Sequence, residues 1–267
     1  MHRCRFVEQA PHAVESLEFE PNGRRLAVLR SNGDIELWRM VSGQVHCEVR
    51  IAGVVDAPVR RLAWAVPSEG HPAGRLFSCG LHGLVTEWDP NALSAVQSFD
   101  SVGGAAWSMA LHNGSGRLAV GCEDGGCSIF DTHTDQVELR HRTPPLGGRL
   151  LCIAFNPKGS HLACASADGS VRVWHTASWQ AVSQVVLESQ GKKKPPLVWS
   201  VLLLSDLCVV TGDSSGHVSF YNGQHGTLIS RFASHQARAA SPTVALHRAT
   251  FRQSGSLSEP IGALHPA

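Results

Sequence analysis

The chain has 267 residues, 43% of them hydrophobic and 17% charged, with a formal net charge of +1. That length carries one sizeable core, or two at most, and near-neutral charge gives no global pull toward nucleic acid or a membrane surface. The opening MHRCRFVEQAPHAV lacks the apolar run of a secretory signal, and no stretch approaches the roughly 18 apolar residues of a membrane-spanning helix.

In chain order, the first predicted strand is VESLEFEP (14–21). The turn PNGRR follows, then LAVLRSNGDIELW, where Gly33 separates two strands and Trp38 closes the second; QVHCEVRI (44–51) is an outer strand. The second unit runs VRRLAWAV (59–66), PSEGHPAGR, then LFSCGLHGLVTEW with Gly83 and Trp88. The third runs AAWSMALH (105–112), NGSGR, then LAVGCEDGGCSIF with Gly125 and Phe130. The fourth runs LLCIAFNP (150–157), NPKGSH, LACASADGSVRVW with Asp168, Gly169 and Trp174, then the outer strand AVSQVVLE (181–188). The fifth runs LVWSVLLL (197–204), then CVVTGDSSGHVSFY with Gly216 and Tyr221.

An aromatic stands five residues after the glycine in all five units, and the glycines are spaced 50, 42, 44 and 47 residues apart. Each apolar run before the turn reads as a strand buried on both faces, and the glycine as the positive-φ residue of a tight hairpin. The strand after it alternates, which predicts one core face and one wetter face. The closing aromatic is large enough to pack against the next unit. Four strands per 40–50 residues, repeated five times, predict an all-β fold of propeller blades.

These units look like WD repeats, with SADGSVRVW the best copy, although Trp-Asp itself occurs only at Trp88-Asp89, with Phe130-Asp131 as a variant. RFVEQAPHAVESLEFEPNGRRLAVLRSNGDIELW, RLFSCGLHGLVTEWD, AAWSMALHNGSGRLAVGCEDG and KKKPPLVWSV together resemble the N-terminal propeller of the cirhin family, from about residue 3 to about residue 236. The resemblance implies a WD-repeat β-propeller at 1–235. It also implies a non-enzymatic scaffold of the nucleolar small-subunit processome, in its UtpA (t-Utp) subcomplex. Its partners would be other processome proteins and the 5′ external spacer of pre-rRNA, with U3 snoRNA in the assembly, and its role small-subunit rRNA maturation and pre-rRNA transcription. Family members carry a second propeller and a helical region, and a sixth blade where this chain has QARAASPTVALHRATFRQSGSLSEPIGALHPA. That segment, 236–267, is Ala-, Ser-, Pro- and Arg-rich and is expected to be a disordered tail. Five blades without a sixth predict an incomplete ring from a truncated chain, with HRCRFVEQ (2–9) a strand lacking its partner blade; a natural five-bladed ring is the alternative.

Candidate chemistry is sparse. GDSSG (212–216) fits a nucleophile elbow at Ser214, but the alternating HVSFY after it predicts a propeller turn rather than the strand-to-helix turn that motif needs. None of the eight Cys forms a CxxC pair, no HExxH occurs, and Cys122 and Cys127 merely flank a hairpin, so reduced structural thiols are expected and no metal or cofactor. Asn113-Gly-Ser115 reads as a turn rather than a glycosylation site, and no phosphate-binding glycine loop is present. The charge run Lys192-Lys193-Lys194, stiffened by Pro195 and Pro196, is the candidate contact for RNA phosphates. Arg60, Arg61, Arg140, Arg142 and Arg149 form lesser basic sets. A generic WD-repeat adaptor that docks peptides, with no RNA role, is the alternative function.

Overall fold

The computed structural model describes residues 11–233 except 42–43, 54–57, 68–70, 72–73 and 189–194. The Lys192–Lys194 run, the 2–9 strand and the 236–267 tail therefore lie outside the described residues. Twenty strands form five four-stranded antiparallel sheets, each with its strands in chain order from inner to outer. Blade 1 holds β1 (Val14–Phe19), β2 (Arg25–Arg30), β3 (Ile35–Val41) and β4 (Gln44–Ile51); blade 2 holds β5 (Val59–Ala65), β6 (Arg75–Gly80), β7 (Leu84–Asp89) and β8 (Ser94–Asp100). Blade 3 holds β9 (Ala106–His112), β10 (Arg117–Cys122), β11 (Cys127–Asp131) and β12 (Glu138–Arg142). Blade 4 holds β13 (Leu150–Phe155), β14 (His161–Ser166), β15 (Ser170–His175) and β16 (Ala181–Val186), and blade 5 holds β17 (Val198–Leu203), β18 (Cys208–Asp213), β19 (Val218–Asn222) and β20 (Leu228–Phe232). This is the WD β-propeller architecture, and every inner, second and third strand expected from the sequence is present.

The repeat glycines do what their spacing requires. Gly33, Gly83, Gly125, Gly169 and Gly216 all lie at φ between 81° and 87°. In each, the glycine N–H donates to the carbonyl three residues back, as from Gly125 to Cys122 at 3.2 Å. The hairpins thus have three-residue loops ending in a left-handed glycine, rather than two-residue turns.

Two expectations are corrected. The closing aromatic packs on the preceding blade, not the next. Phe130 shares a core with Ala63, Phe77 and Val85 of blade 2, and its ring lies 4.8 Å from that of Phe99. Trp174 packs among blade 3 residues and Tyr221 among blade 4 residues. The second correction, to the strand after the turn, is partial: β19 and most of β7 alternate between wetter and buried residues as expected, but other third strands do not. β11 is buried through Phe130, and the polar alternates Glu36 and Glu87 are 1% and 2% exposed. A propeller blade is covered on both sides by its neighbours, so polar residues on either face must find partners rather than water.

Each blade carries two register shifts at fixed places. One lies near the start of the inner strand and leaves Glu15, Arg60, Trp107, Leu151 and Trp199 as the extra residues. The other lies in the outer strand and sets Glu48, Val96, Arg140, Val182 and Ile229 outside the pairing. Such bulges add twist and re-aim a side chain, and on an outer strand they blunt an edge that would otherwise recruit another sheet.

The inner strands contact one another in the order β1, β5, β9, β13, β17 and line one central channel. Among the described residues the first and fifth blades each leave a face without a neighbour. Leu17 and Phe19 are 43% and 52% exposed, whereas Leu62 and Trp64 at the same register of blade 2 are 4% and 1%. On blade 5, Leu228, Ile229 and Phe232 are exposed.

Candidate nucleic-acid interface

The glycine hairpins and the connections between blades lie at the end of the propeller where the inner strands begin. There the chain brings four of the five sequence-marked arginines together. Arg60 is the bulged residue of β5, and Arg149 directly precedes β13; their guanidinium carbons stand 5.6 and 4.6 Å from the Trp107 ring centroid. The Trp107 indole N–H donates to Glu123, which also sits 3.8 Å from Arg149. The neighbouring Asp124 accepts from Arg142. Arg61 donates to the Glu15 carbonyl at 3.3 Å and reaches the channel wall. Arg140 is not part of this group: the outer-strand bulge turns it outward, where it pairs with Asp131 at 3.3 Å and Glu138 at 3.4 Å.

Within the cluster Arg60 pairs with Glu15 at 3.2 Å, Arg142 with Asp124 and Arg149 with Glu123. Exposed pairs of this kind contribute little to stability, on the order of 0–1 kcal/mol each, yet they leave the patch nearly neutral. A phosphate would compete with carboxylates already in place. Pro195 and Pro196, which follow the lysine run, press on the Asp168-Gly169 hairpin, where a Cβ on Gly169 would lie 2.7 Å from Pro195 Cβ. Asp168 itself accepts from the Ser170 N–H and hydroxyl at 2.9 and 2.6 Å and so holds the turn.

The remaining motif residues have structural duties. Ser214 sits in a strand–strand turn between β18 and β19 and exchanges hydrogen bonds with Leu197, 3.0 Å through its Oγ and 2.9 Å through its N–H. Asn113 opens a short turn and accepts from Val66 N–H at 2.9 Å. Cys79, Cys122, Cys127 and Cys164 are fully buried; burial pushes the Cys79 and Cys122 thiols up to about 12 and about 11, far from the thiolate a metal or nucleophilic role needs. No group of three or more metal-ligating side chains occurs among the described residues.

Several supporting residues escaped the sequence reading. Asp89 of Trp-Asp accepts from the N–H groups of Asn91 and Ala92 at 2.7 and 3.1 Å, and Asn222 after Tyr221 does the same for Gln224 and His225 at 2.9 and 3.1 Å. The signal was available, since Asp and Asn both make such local turns. The Trp88 indole donates to Ser78 at 2.8 Å, whereas Trp38 turns to Glu36 at 2.9 Å.

Glu18 was also missed. It lines the central channel on β1 and is half-buried, and burial alone raises its carboxyl from 4.5 to about 7. The folded chain then holds that proton more tightly than the unfolded chain does. Its stabilising share is complete below pH 4.5 and is lost as the pH rises through about 7. Glu18→Gln is expected to stabilise the protein by roughly 1–2 kcal/mol at pH 8 and to be near neutral at pH 4, as read by urea unfolding at both values.

Comparisons with known proteins follow the same lines. The family model for the WD domain, G-beta repeat, matches residues 141–175. The chain is 34% identical over 252 residues to U3 small nucleolar RNA-associated protein 4 of Schizosaccharomyces pombe, covering 90% of this chain and 35% of that protein. The human homologue is 32% identical over 232 residues, covering 86% of this chain and 33% of the relative. The Saccharomyces cerevisiae protein of the same name is 30% identical over 253 residues, covering 89% and 32%. The chain thus spans about a third of the length of the curated relatives it matches.

Proposed function

We propose, from a likeness to U3 small nucleolar RNA-associated proteins that runs through nearly all of this propeller, that the chain serves as a non-enzymatic scaffold in nucleolar rRNA processing. The observation that carries this reading is the 30–34% identity over 86–90% of the chain to proteins bearing that name. As the cirhin resemblance implies, the assembly is the small-subunit processome, its UtpA part in particular, and the RNA is the 5′ spacer of pre-rRNA. Support for pre-rRNA transcription belongs to the same reading. The mechanism is geometric. A propeller of stacked blades holds its loops in fixed relation, so many weak contacts to proteins and to RNA phosphates add without further ordering cost. Lys192–Lys194 supply the phosphate contacts, with Arg60, Arg61, Arg142 and Arg149 joining where RNA displaces their carboxylate partners; Arg140 on the outer edge is a lesser candidate.

Affinity purification of the tagged chain from nuclear extract tests this. Processome proteins, U3 snoRNA and 5′-spacer pre-rRNA are expected together. RNA recovery should fall as salt rises, and it should fall at fixed salt when Lys192–Lys194 are changed to Ala. A soluble, folded chain that recovers neither protein nor RNA overturns the proposal. The rival reading, an adaptor that docks a protein segment without RNA, draws on the ion pairing of the arginine patch.

A further inference from the structure

A cavity of about 200 Å³ lies in the seam between blades 1 and 2, away from the central channel. Ile35 and Ile51 of blade 1 line one side, and Thr86, Trp88 and Ser98 of blade 2 line the other, with His82 of the glycine hairpin beside them. It opens to solvent at His82 and Ser98, both exposed. The repeat explains why the seam is not filled here. Two residues before the closing aromatic, the third strand of each blade pairs with the fourth. Glu36 stands opposite Arg50, Ser128 opposite Arg142, Arg172 opposite Gln184, and Ser219 opposite Arg231. Four of the five pairs thus carry one guanidinium. Blade 2 instead has Thr86 opposite Ser98, two short hydroxyls 3.0 Å apart.

The other four blades show what holds a guanidinium at this place. Arg50 donates to Glu36 at 3.0 Å, and Arg142 donates to Asp124, the residue before the turn glycine. Arg172 donates to Gln184 at 2.9 Å and lies 5.6 Å from the Trp174 ring centroid, while Arg231 donates to the Ser219 hydroxyl at 3.2 Å. Arg172 and Arg231 make no ion pair among the described residues, so neutral oxygens and an aromatic ring suffice. Blade 2 offers the same partners. The Thr86 and Ser98 hydroxyls keep lone pairs beyond the bond they share. Trp88 is half-buried, whereas the closing aromatics of the other blades are buried, so its ring is available. His82 takes the place of Asp124 and makes no hydrogen bond among the described residues; partial burial lowers its pKa, which leaves a neutral imidazole able to accept. Two residues beyond Ser98, on the same face of β8, Asp100 is exposed and forms no ion pair among the described residues; it accepts from the Val102 N–H at 2.5 Å.

We infer that the seam between blades 1 and 2 is a docking pocket for an arginine side chain of a partner protein, whose guanidinium lies over Trp88 and donates to Thr86, Ser98 and His82. The partner's arginine takes the position that the chain's own arginines take in the other blades. A guanidinium over an indole gains a cation–π interaction, and Asp100 at the rim favours the approach of a cation. Lysine fits less well, because its ammonium cannot offer a planar fork to several acceptors at once. The inference is independent of RNA binding at the lysine run, and either can fail without the other.

The test uses the full chain and labelled pools of short peptides whose flanks are degenerate and whose central residue is fixed as Arg, Lys, citrulline or norleucine, read by fluorescence anisotropy. A degenerate single-stranded RNA pool serves as the competing polymer. The Arg pool is expected to bind on the order of tenfold more tightly than the citrulline pool, as charge-assisted hydrogen bonds imply, and more tightly than the Lys pool. Ser98→Arg gives blade 2 the side chain that Arg50, Arg142 and Arg231 supply at the same position. It should abolish the Arg preference while thermal stability is kept or raised, and His82→Ala should weaken the Arg pool with no change in melting. Equal binding of the four peptide pools, or binding of none, overturns the inference. So does an Arg preference that survives either variant, or a Ser98→Arg protein that is destabilised, since the pocket would then not be the guanidinium position of the other blades. RNA that binds the wild-type seam and is excluded by Ser98→Arg, with no Arg preference among the peptides, overturns it in favour of a nucleobase.

Discussion

Arg75→Ala is expected to cost about 3–5 kcal/mol, measured by equilibrium urea unfolding, and so to produce the largest loss of any single substitution considered. Arg75 is 3% exposed and spends its guanidinium on two blades at once. Within blade 2 it grips Glu87 through two bonds of 2.6 and 2.7 Å. Toward blade 3 it donates to the carbonyls of Thr132, Thr134 and Asp135 at 2.7, 2.9 and 3.2 Å. Gln97 completes the group, bonding Glu87 and the Asp135 carbonyl, both at 2.7 Å. Removing the arginine strands a buried carboxylate and unpairs carbonyls that bind the loop of the next blade, and breaking a buried pair from one side carries that cost. Glu87→Met in the Arg75→Ala background should then recover part of the loss. If the double variant is no more stable than Arg75→Ala alone, the buried charge is not the origin of the effect.

Gly125→Ala should cost about 3 kcal/mol, against about 1–2 kcal/mol for Gly83→Ala. Both glycines sit in the left-handed region, at φ 86° and 83°, and an L side chain pays about 1–2 kcal/mol for that alone. The surroundings separate them. A Cβ on Gly125 would lie 2.5 Å from the Leu146 carbonyl oxygen and 2.8 Å from that of Gly148, both backbone atoms that cannot swing away. On Gly83 the nearest atom would be the Gly104 carbonyl oxygen at 3.2 Å, which needs a shift of only a few tenths of an ångström. Parallel thermal melts decide it: equal destabilisation of the two variants would mean that backbone conformation alone sets the glycine requirement.

That contrast shows what a sequence can and cannot disclose here. The turn glycines were legible because a single φ requirement repeats at a fixed distance from an aromatic. The outer strands QVHCEVRI and AVSQVVLE were legible from their place after the closing aromatic, and QVHCEVRI also because its eight residues alternate. Short, polar ELRHR (138–142) and LISRF (228–232) carry too little alternation to announce a strand, and they form one only because a third strand with unpaired edge groups lies beside them. The burial of Glu36 and Glu87 was not legible because alternation reports one sheet and not what covers it. The contacts of Arg75 to the next blade span 57 to 60 residues of sequence and leave no local trace. The arginine patch was half legible. Its members could be picked by charge, but their pairing with Glu15, Glu123 and Asp124 depends on bulges and loop crossings that no spacing encodes. Glu18 had no sequence signal beyond its contrast with alanine at the same register of three other blades.

Among the described residues the extensive strand contacts between blades run only between neighbours, and the first and fifth blades each have a single neighbour of this kind. Such an arrangement behaves as a row of coupled units rather than as one block. Opening a middle blade breaks two interfaces, whereas opening the first or fifth breaks one, so structural fluctuations begin at the ends and travel inward. The arginine cluster draws on Glu15 of blade 1, Arg60 of blade 2, Trp107 of blade 3 and Arg149 beside blade 4. It straddles three of those boundaries, so a ligand bound across it would act as a clasp and make the row melt as a unit.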